Sequence, residues 1–323
     1  MQLVLTTPGS YLHVKDDIFE VRVDDQKTHI SPQKVRTILL TTSMALSTNA
    51  IKLAIENNID IVFLQATGQP FGRFWHDRLG STSRIRRKQL ELSLHTKGTE
   101  IGKNFIVQKW ENQIEFLEKL RKKKPRQSSE ITSVINSLKQ ARTDIQSISG
   151  DIEHCRFSIM GLEGSVARKY WTLLSQTLPE QYHFGQRSRN PAKDIFNCLL
   201  NYAYGVLYAE IERACIISGI DPYIGFIHSD HYAKISMVLD IIEGYRIFAE
   251  ETVWEICNNR KATNEHISEI PDGVYLNKQG KQLLLEHLNI FLDTPISHNG
   301  KQVPRRNTIQ RDLHQLANSW LQE

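Results

Sequence analysis

The sequence predicts an α+β fold, with an N-terminal β-rich domain at residues 1–85 and a larger α-helical domain at 86–323. Up to about Leu64 the apolar segments are short, rich in Val, Ile, Thr and Tyr, and divided by turn signals. Beyond about residue 85, apolar residues recur at helical spacing over stretches too long for strands. This change of texture occurs once, and neither an internal repeat nor a low-complexity tract points to an array.

Taken in order, LVLTT, YLHV and IFEVRV read as strands, with PGS, KDD and DDQK as turns. KVRTILLTT reads as a further strand. STNAIKLAIENN reads as a helix opening at the N-cap Ser47, DIVFL as a strand, and ATGQPFG as the turn after it. The helical part then runs through GKNFIVQKWENQIEFLEKL, ITSVINSLKQARTDI, GSVARKYWTLLSQ and PAKDIFNCLLNYAYGVLYAEIERACIISG, and closes on an apolar run from about Ile235 to Phe248. KKKPRQSSE is a loop between the first two long helices, because Pro125 and two serines interrupt the apolar period.

With 323 residues, 40% hydrophobic and 24% charged, the chain can bury a proper core. No apolar stretch approaches the roughly 20 residues that span a bilayer, and MQLVLTTPGS lacks the features of a signal peptide, so a cytoplasmic protein without a membrane partner is expected. Cys155, Cys198, Cys215 and Cys257 are scattered without a CxxC pair, which argues for reduced, buried thiols. The net charge of +4 says little, but its distribution says more. KLRKKKPR reads as a solvated face. Arg73, Arg78, Arg84, Arg86, Arg87 and Lys88, interleaved with Phe74 and Trp75, form a patch too dense to be paired locally and are expected to contact DNA phosphates.

Three places carry candidate chemistry. Glu163 lies between Gly161 and Gly164, either displayed where something approaches the backbone closely or placed at a helix N-terminus. His228 and His231 fall in a loop. Asp240 and Glu243, three residues apart on one side of an apolar helix, have Arg246 three residues further on as an ion-pair partner. Burying unpaired acids is costly, so the pair either faces solvent on an amphipathic helix or faces inward and leaves open what neutralises it, although the apolar neighbours leave little polar surface. Glu163, His228 and the acid pair form an oxygen-rich set with one imidazole, which suits Mg²⁺ or Mn²⁺ better than structural zinc and points to phosphodiester chemistry. Two other classes remain: a metal-dependent phosphohydrolase of nucleic acids using His76, His228 and His231 with Asp77 or Asp230, and a DNA-binding scaffold with a degenerate site.

The order GLEGSVARKYW, RSRNPAKDIFNCLLNYAYGVL, GIDPYIGFIHSD followed by SMVLDIIEGYR, and DGVYLNKQGKQLL resembles the CRISPR-associated integrases, the first Cas protein family (Cas one). The resemblance extends over nearly the whole chain. It implies a β-domain joined to a helical catalytic domain, and a metal-dependent DNA endonuclease and transesterase that inserts spacer DNA into the CRISPR array. It further implies Glu163, His228 and Glu243 as metal ligands for Mg²⁺ or Mn²⁺, Asp240 as the acid that shapes the site, and Arg246 as a basic residue close to the reacting strand. Arg187 and Arg189 of the RSRNP stretch are counted with the DNA-contacting residues. The implied partners are DNA (the spacer duplex and the CRISPR repeat), a second copy in a homodimer paired through the β-domains, and the second Cas protein (Cas two). Removing any one ligand is expected to leave the protein folded, by relieving repulsion among the acids.

Overall fold

The computed structural model describes residues 2–74, 82–189, 191–228 and 234–322. Its first part holds β1 (Gln2–Leu5), β2 (Tyr11–Lys15), β3 (Ile18–Val23), β4 (Gln26–Ile30), β5 (Thr37–Leu40), β6 (Ala45–Leu46), α1 (Thr48–Glu56), β7 (Asp60–Leu64) and β8 (Pro70–Phe74). Two four-stranded sheets result, in the orders β1-β5-β7-β8 and β4-β3-β2-β6. Asp16, Asp17 and Asp24 take the left-handed conformation in the tight turns that join β2, β3 and β4 as antiparallel neighbours.

The unbroken apolar runs TILL and DIVFL follow from the parallel pairing of β1, β5 and β7, which leaves the central strands covered on both faces. Ile38, Leu40 and Ile61 pack with Leu12, Phe19 and the alanines of α1, whereas Leu39, Val62 and Leu64 join the helical core. Ser47 caps α1 by accepting the backbone N–H of Ala50 at 3.1 Å. Three edge strands were not foreseen, among them the two-residue β6. β4 (QKTHI) carries almost no apolar signal, and β8 falls where ATGQPFG reads as a turn, its Pro70 tolerated because the strand is an edge.

The second part comprises α2 (Thr82–Ser93), α3 (Thr96–Lys123), α4 (Ser128–Ser147), α5 (Ile152–Gln176), α6 (Ile195–Ser218), α7 (Ser236–Ile242), α8 (Arg246–Asn258), the hairpin of β9 (Ile267–Ile270) and β10 (Gly273–Leu276), α9 (Lys278–Asp293), the hairpin of β11 (Pro295–His298) and β12 (Lys301–Pro304), and α10 (Arg305–Trp320). The two hairpins are additions to a mostly helical part. Asp151 and Asp194 cap α5 and α6 by accepting the N–H groups of His154 and Asn197, and Gly219 closes α6 in the left-handed conformation. α6 is buried along most of its length and crosses the β7–β8 turn, where a Cβ on Gly205 would stand 2.1 Å from the Gly68 carbonyl oxygen. The four cysteines are free and buried. No helix among the described residues is long and apolar enough to cross a membrane.

Arg73 ties the two parts together, 3.3 Å from Asp60 on β7 and 2.5 Å from Glu212 on α6. Asp60 is fully buried and its oxygens lack hydrogen-bond partners. Burial pushes its carboxyl up to about 6, against the pull of Arg73 and Arg213. The folded state therefore holds a proton that the unfolded chain releases at lower pH. This stabilisation is full below about pH 4 and is lost as pH rises through about 6, on the order of 3 kcal/mol in all. Thermal unfolding across that window should show a decline in wild type relative to Asp60→Asn, and parallel profiles would refute it.

Candidate metal centre

α3, α5, α7, the turn after α7 and the loop before it converge on one cleft, lined by Glu163, His228, Asp240 and Glu243 together with Gly102, Phe105, Ile106, Met160 and Ile227. Glu163 projects from well inside α5, so the alternative placement at a helix N-terminus does not hold. A Cβ on Gly161 or Gly164 would meet nothing within 4 Å, so no described protein group makes the expected close approach on this face. The apolar run from Ile235 is not one helix either. It breaks at a 3₁₀ turn over Glu243–Tyr245, where Gly244 packs on Gln108 and its carbonyl accepts from Asn112 at 2.7 Å.

Asp240 is saturated. One oxygen accepts the backbone N–H groups of Phe226 at 2.6 Å and Ile227 at 3.0 Å. The other accepts the His228 N–H at 3.0 Å and meets His228 Nδ1 at 2.6 Å. An oxygen already accepting a backbone N–H fixes Nδ1 as the donor, which leaves Nε2 as the lone-pair nitrogen. The other side of the loop is held by Arg156, whose Nε donates to the Ile227 carbonyl at 2.9 Å. Gly102 of α3 makes room for it, since a Cβ there would stand 2.4 Å from Ile227 Cγ1.

Glu243 is buried and flanked by cations. Arg246 brings Nε and Nη2 to one of its oxygens, each at 2.8 Å. Lys109 Nζ stands 2.8 Å from the other oxygen, outside hydrogen-bonding geometry, and donates to Glu163. Burial raises the Glu243 carboxyl, but Arg246 and Lys109 overcome it and hold the group well below the usual carboxylate range. Burial likewise works against the Lys109 ammonium, and Glu243 and Glu163 more than reverse the effect. Arg246 stacks on Tyr204 at 4.7 Å, and Tyr204 donates at 2.8 Å to Glu250, which also accepts from Tyr170 at 2.8 Å.

The expected ligands thus share a cleft, but among the described residues no three His, Cys, Asp or Glu side chains are gathered closely enough to hold an ion. The residues nevertheless fit a hard divalent cation. Two carboxylates already grip a positive charge, Glu243 presents a buried oxygen with no hydrogen-bond partner, and the imidazole has its other nitrogen tied to a carboxylate, as metal-binding histidines usually do.

Sequence reasoning missed Lys109, Arg156 and Glu250. Lys109 falls on the same buried stripe of α3 as Ile106, Trp110, Gln113 and Leu117, and Glu250 on that of α8 with Ile247, Val253 and Trp254. A charge in register with an apolar stripe was the available signal.

The basic patch is less free than its density implied. Arg73 is committed to Asp60 and Glu212, Arg86 lies 3.7 Å from Asp221, and Lys88 lies 3.0 Å from Glu91. Arg84 and Arg87 are exposed on α2. Arg78, His76, Asp77, Asp230 and His231 lie outside the described residues. Arg187 is half-buried between Trp171 and Tyr204 and donates to Asn197 and Asn201, while Arg189 is exposed. The lysine run at the end of α3 behaves as a helix face, with Lys119 near Glu115, Arg121 near Glu118, and Lys124 on Asn258.

Over residues 3–289 the chain matches the family described as CRISPR associated protein Cas1. It is 29% identical over 316 residues to a CRISPR-associated endonuclease Cas1 of Archaeoglobus fulgidus, covering 94% of this chain and 91% of that protein. To a second such endonuclease, from Saccharolobus solfataricus, it is 30% identical over 248 residues, or 77% and 72% of the two chains. Its fold is that of a CAS1 protein from Thermotoga maritima, with TM-score 0.83, 21% identity and coverage of 100% and 98%. A casposase bound to integration product shares the fold at TM-score 0.85 and 22% identity, over 99% and 90% of the two chains. With the family match spanning most of its length, the chain belongs to the Cas1 family of CRISPR-associated proteins.

Proposed function

We propose that this chain is the integrase of CRISPR adaptation, a metal-dependent DNA endonuclease and transesterase that joins spacer DNA to the repeat. The observation that carries the reading is the single cleft shared by Glu163, Glu243 and the Asp240-bound His228, in a chain of this family. Glu163, Glu243 and His228 Nε2 would hold Mg²⁺ or Mn²⁺. When bound, such an ion polarises the phosphoryl group and stabilises the charge that builds on its oxygens.

The chain's own groups do the positioning. Asp240 fixes the loop backbone and the imidazole tautomer, so that Nε2 is presented rather than searched for. Arg246 holds one oxygen of Glu243, which leaves the other turned to the cleft. A 3′ hydroxyl attacking a backbone phosphate gives strand transfer, and water in its place gives cleavage. The division of labour falls near residue 85, with catalysis in the helical part and homodimer pairing in the β-rich part. Part of one chain of a Cas6-RT-Cas1–Cas2 complex, 35% of its length, shares the fold of this whole chain at TM-score 0.80 and 22% identity, and we assign a Cas2 protein as the partner here. Integration of a labelled duplex, with and without Cas2 and divalent ions, tests the reading. Strand transfer that persists in EDTA or in Glu163→Gln would overturn it.

For the DNA path, Arg84, Arg87 and Arg189, exposed among the described residues, lead the candidates for phosphate binding. Neutralising Arg84 and Arg87 should lower duplex affinity and flatten the slope of log affinity against log salt by roughly 0.9 for each phosphate no longer neutralised. An unchanged slope would mark α2 as a solvated face.

A further inference from the structure

We propose that Lys109 is the built-in counter-cation of this site: in the free chain its ammonium bridges Glu163 and Glu243, and a divalent ion enters by taking its place. The inference rests on the reading that these two carboxylates hold the metal. Three observations carry it beyond that reading. Lys109 is 8% exposed and projects from the buried stripe of α3, so its ammonium is built into the interior. It reaches both carboxylates at once, donating to Glu163 and standing 2.8 Å from Glu243. The Glu243 oxygen it faces is the one Arg246 does not occupy, so the ammonium covers the oxygen through which Glu243 can bind anything else.

Charge balance makes the two occupants exclusive. Lys109 and Arg246 neutralise Glu163 and Glu243 in the free chain, and with Asp240 the one further carboxylate lining the cleft, a divalent ion added beside the ammonium would leave a net positive charge in a largely buried space. The lysine's four-carbon stem is flexible, so its head can leave while Arg246, held in a fixed fork on its own carboxylate oxygen and stacked on Tyr204, stays. Glu163 and Glu243 are thereby kept neutralised without metal, at the cost of weaker metal binding.

The test uses the full chain without DNA. Titration calorimetry with MnCl₂ should show Lys109→Gln binding ~10-fold tighter than wild type, the scale on which neighbouring groups tune such sites. Reductive methylation of the wild-type protein, mapped by mass spectrometry, covers the case in which the variant folds poorly. Lys109 should be protected in EDTA and modified once Mg²⁺ saturates. Equal or weaker Mn²⁺ affinity in Lys109→Gln, or protection unchanged by Mg²⁺, would overturn the role of the lysine alone. Absence of Mn²⁺ binding from wild type and Lys109→Gln alike would overturn the metal site and this proposal with it.

Discussion

Glu163→Ala and Glu243→Ala are both expected to abolish strand transfer, by on the order of 10³-fold or more, as loss of a group that stabilises charge at the reacting centre does. They should part company in stability. From the residues alone, removal of either acid was expected to relieve repulsion, but Lys109 and Arg246 already neutralise the pair. Taking away Glu243 strands Arg246 at a buried position and leaves Lys109 with Glu163 alone, a loss of about 3–5 kcal/mol. Glu163 is the milder case, with its side chain 30% exposed and Lys109 left beside Glu243, so about 1 kcal/mol or less is expected. Thermal unfolding in EDTA beside an integration assay separates the two effects. Glu243→Ala melting with wild type would mean that Arg246 and Lys109 find other partners and that the buried ion pairs contribute nothing.

What could be read in advance follows from where the signal lies. Apolar periodicity announced the central strands TILL and DIVFL and the long helices, because each is fixed by its own burial. β4 and β8 escaped because an edge strand owes its pairing to a neighbour rather than to its own side chains. Asp240 and Glu243 were legible through their conflict with an apolar setting and His228 through its position before them, whereas Glu163 stood out only through the family resemblance. Their mutual arrangement was not legible. Lys109, Arg156 and Glu250 meet Glu163, Ile227 and Tyr204 across separations of 54, 71 and 46 residues, and no local pattern says which buried acid a buried lysine will meet. For Arg73 and Arg86 the basic patch misled in the opposite sense. Density along the chain looked like unpaired charge, yet Arg73 and Arg86 find acids on and just after α6, well over a hundred residues on.

The second large effect is expected for Asp240→Asn. The substitution is nearly isosteric, and a residue that only oriented the imidazole would tolerate it with a modest loss of metal affinity. Its hydrogen bonds point to a larger role. Asp240 receives four donors, two on each oxygen, and three of them are backbone N–H groups of consecutive residues, Phe226, Ile227 and His228. Asparagine offers one oxygen, so either orientation turns an NH₂ group toward two donors. If it faces Phe226 and Ile227, two buried N–H groups lose their acceptor at about 1–3 kcal/mol each, and if it faces His228, the imidazole loses its anchor as well. Arg156 and the close approach of Gly102 then hold a loop whose other side has come free. Asp240→Asn should therefore melt well below wild type, with strand transfer depressed at every Mn²⁺ concentration. His228→Ala is the control, because it keeps the three backbone bonds and removes only the partly exposed imidazole. It should be inactive while melting close to wild type. If instead Asp240→Asn melts with wild type and recovers full strand transfer at high Mn²⁺, the carboxylate merely tunes the histidine and the loop is supported by Arg156 and its packing on α3.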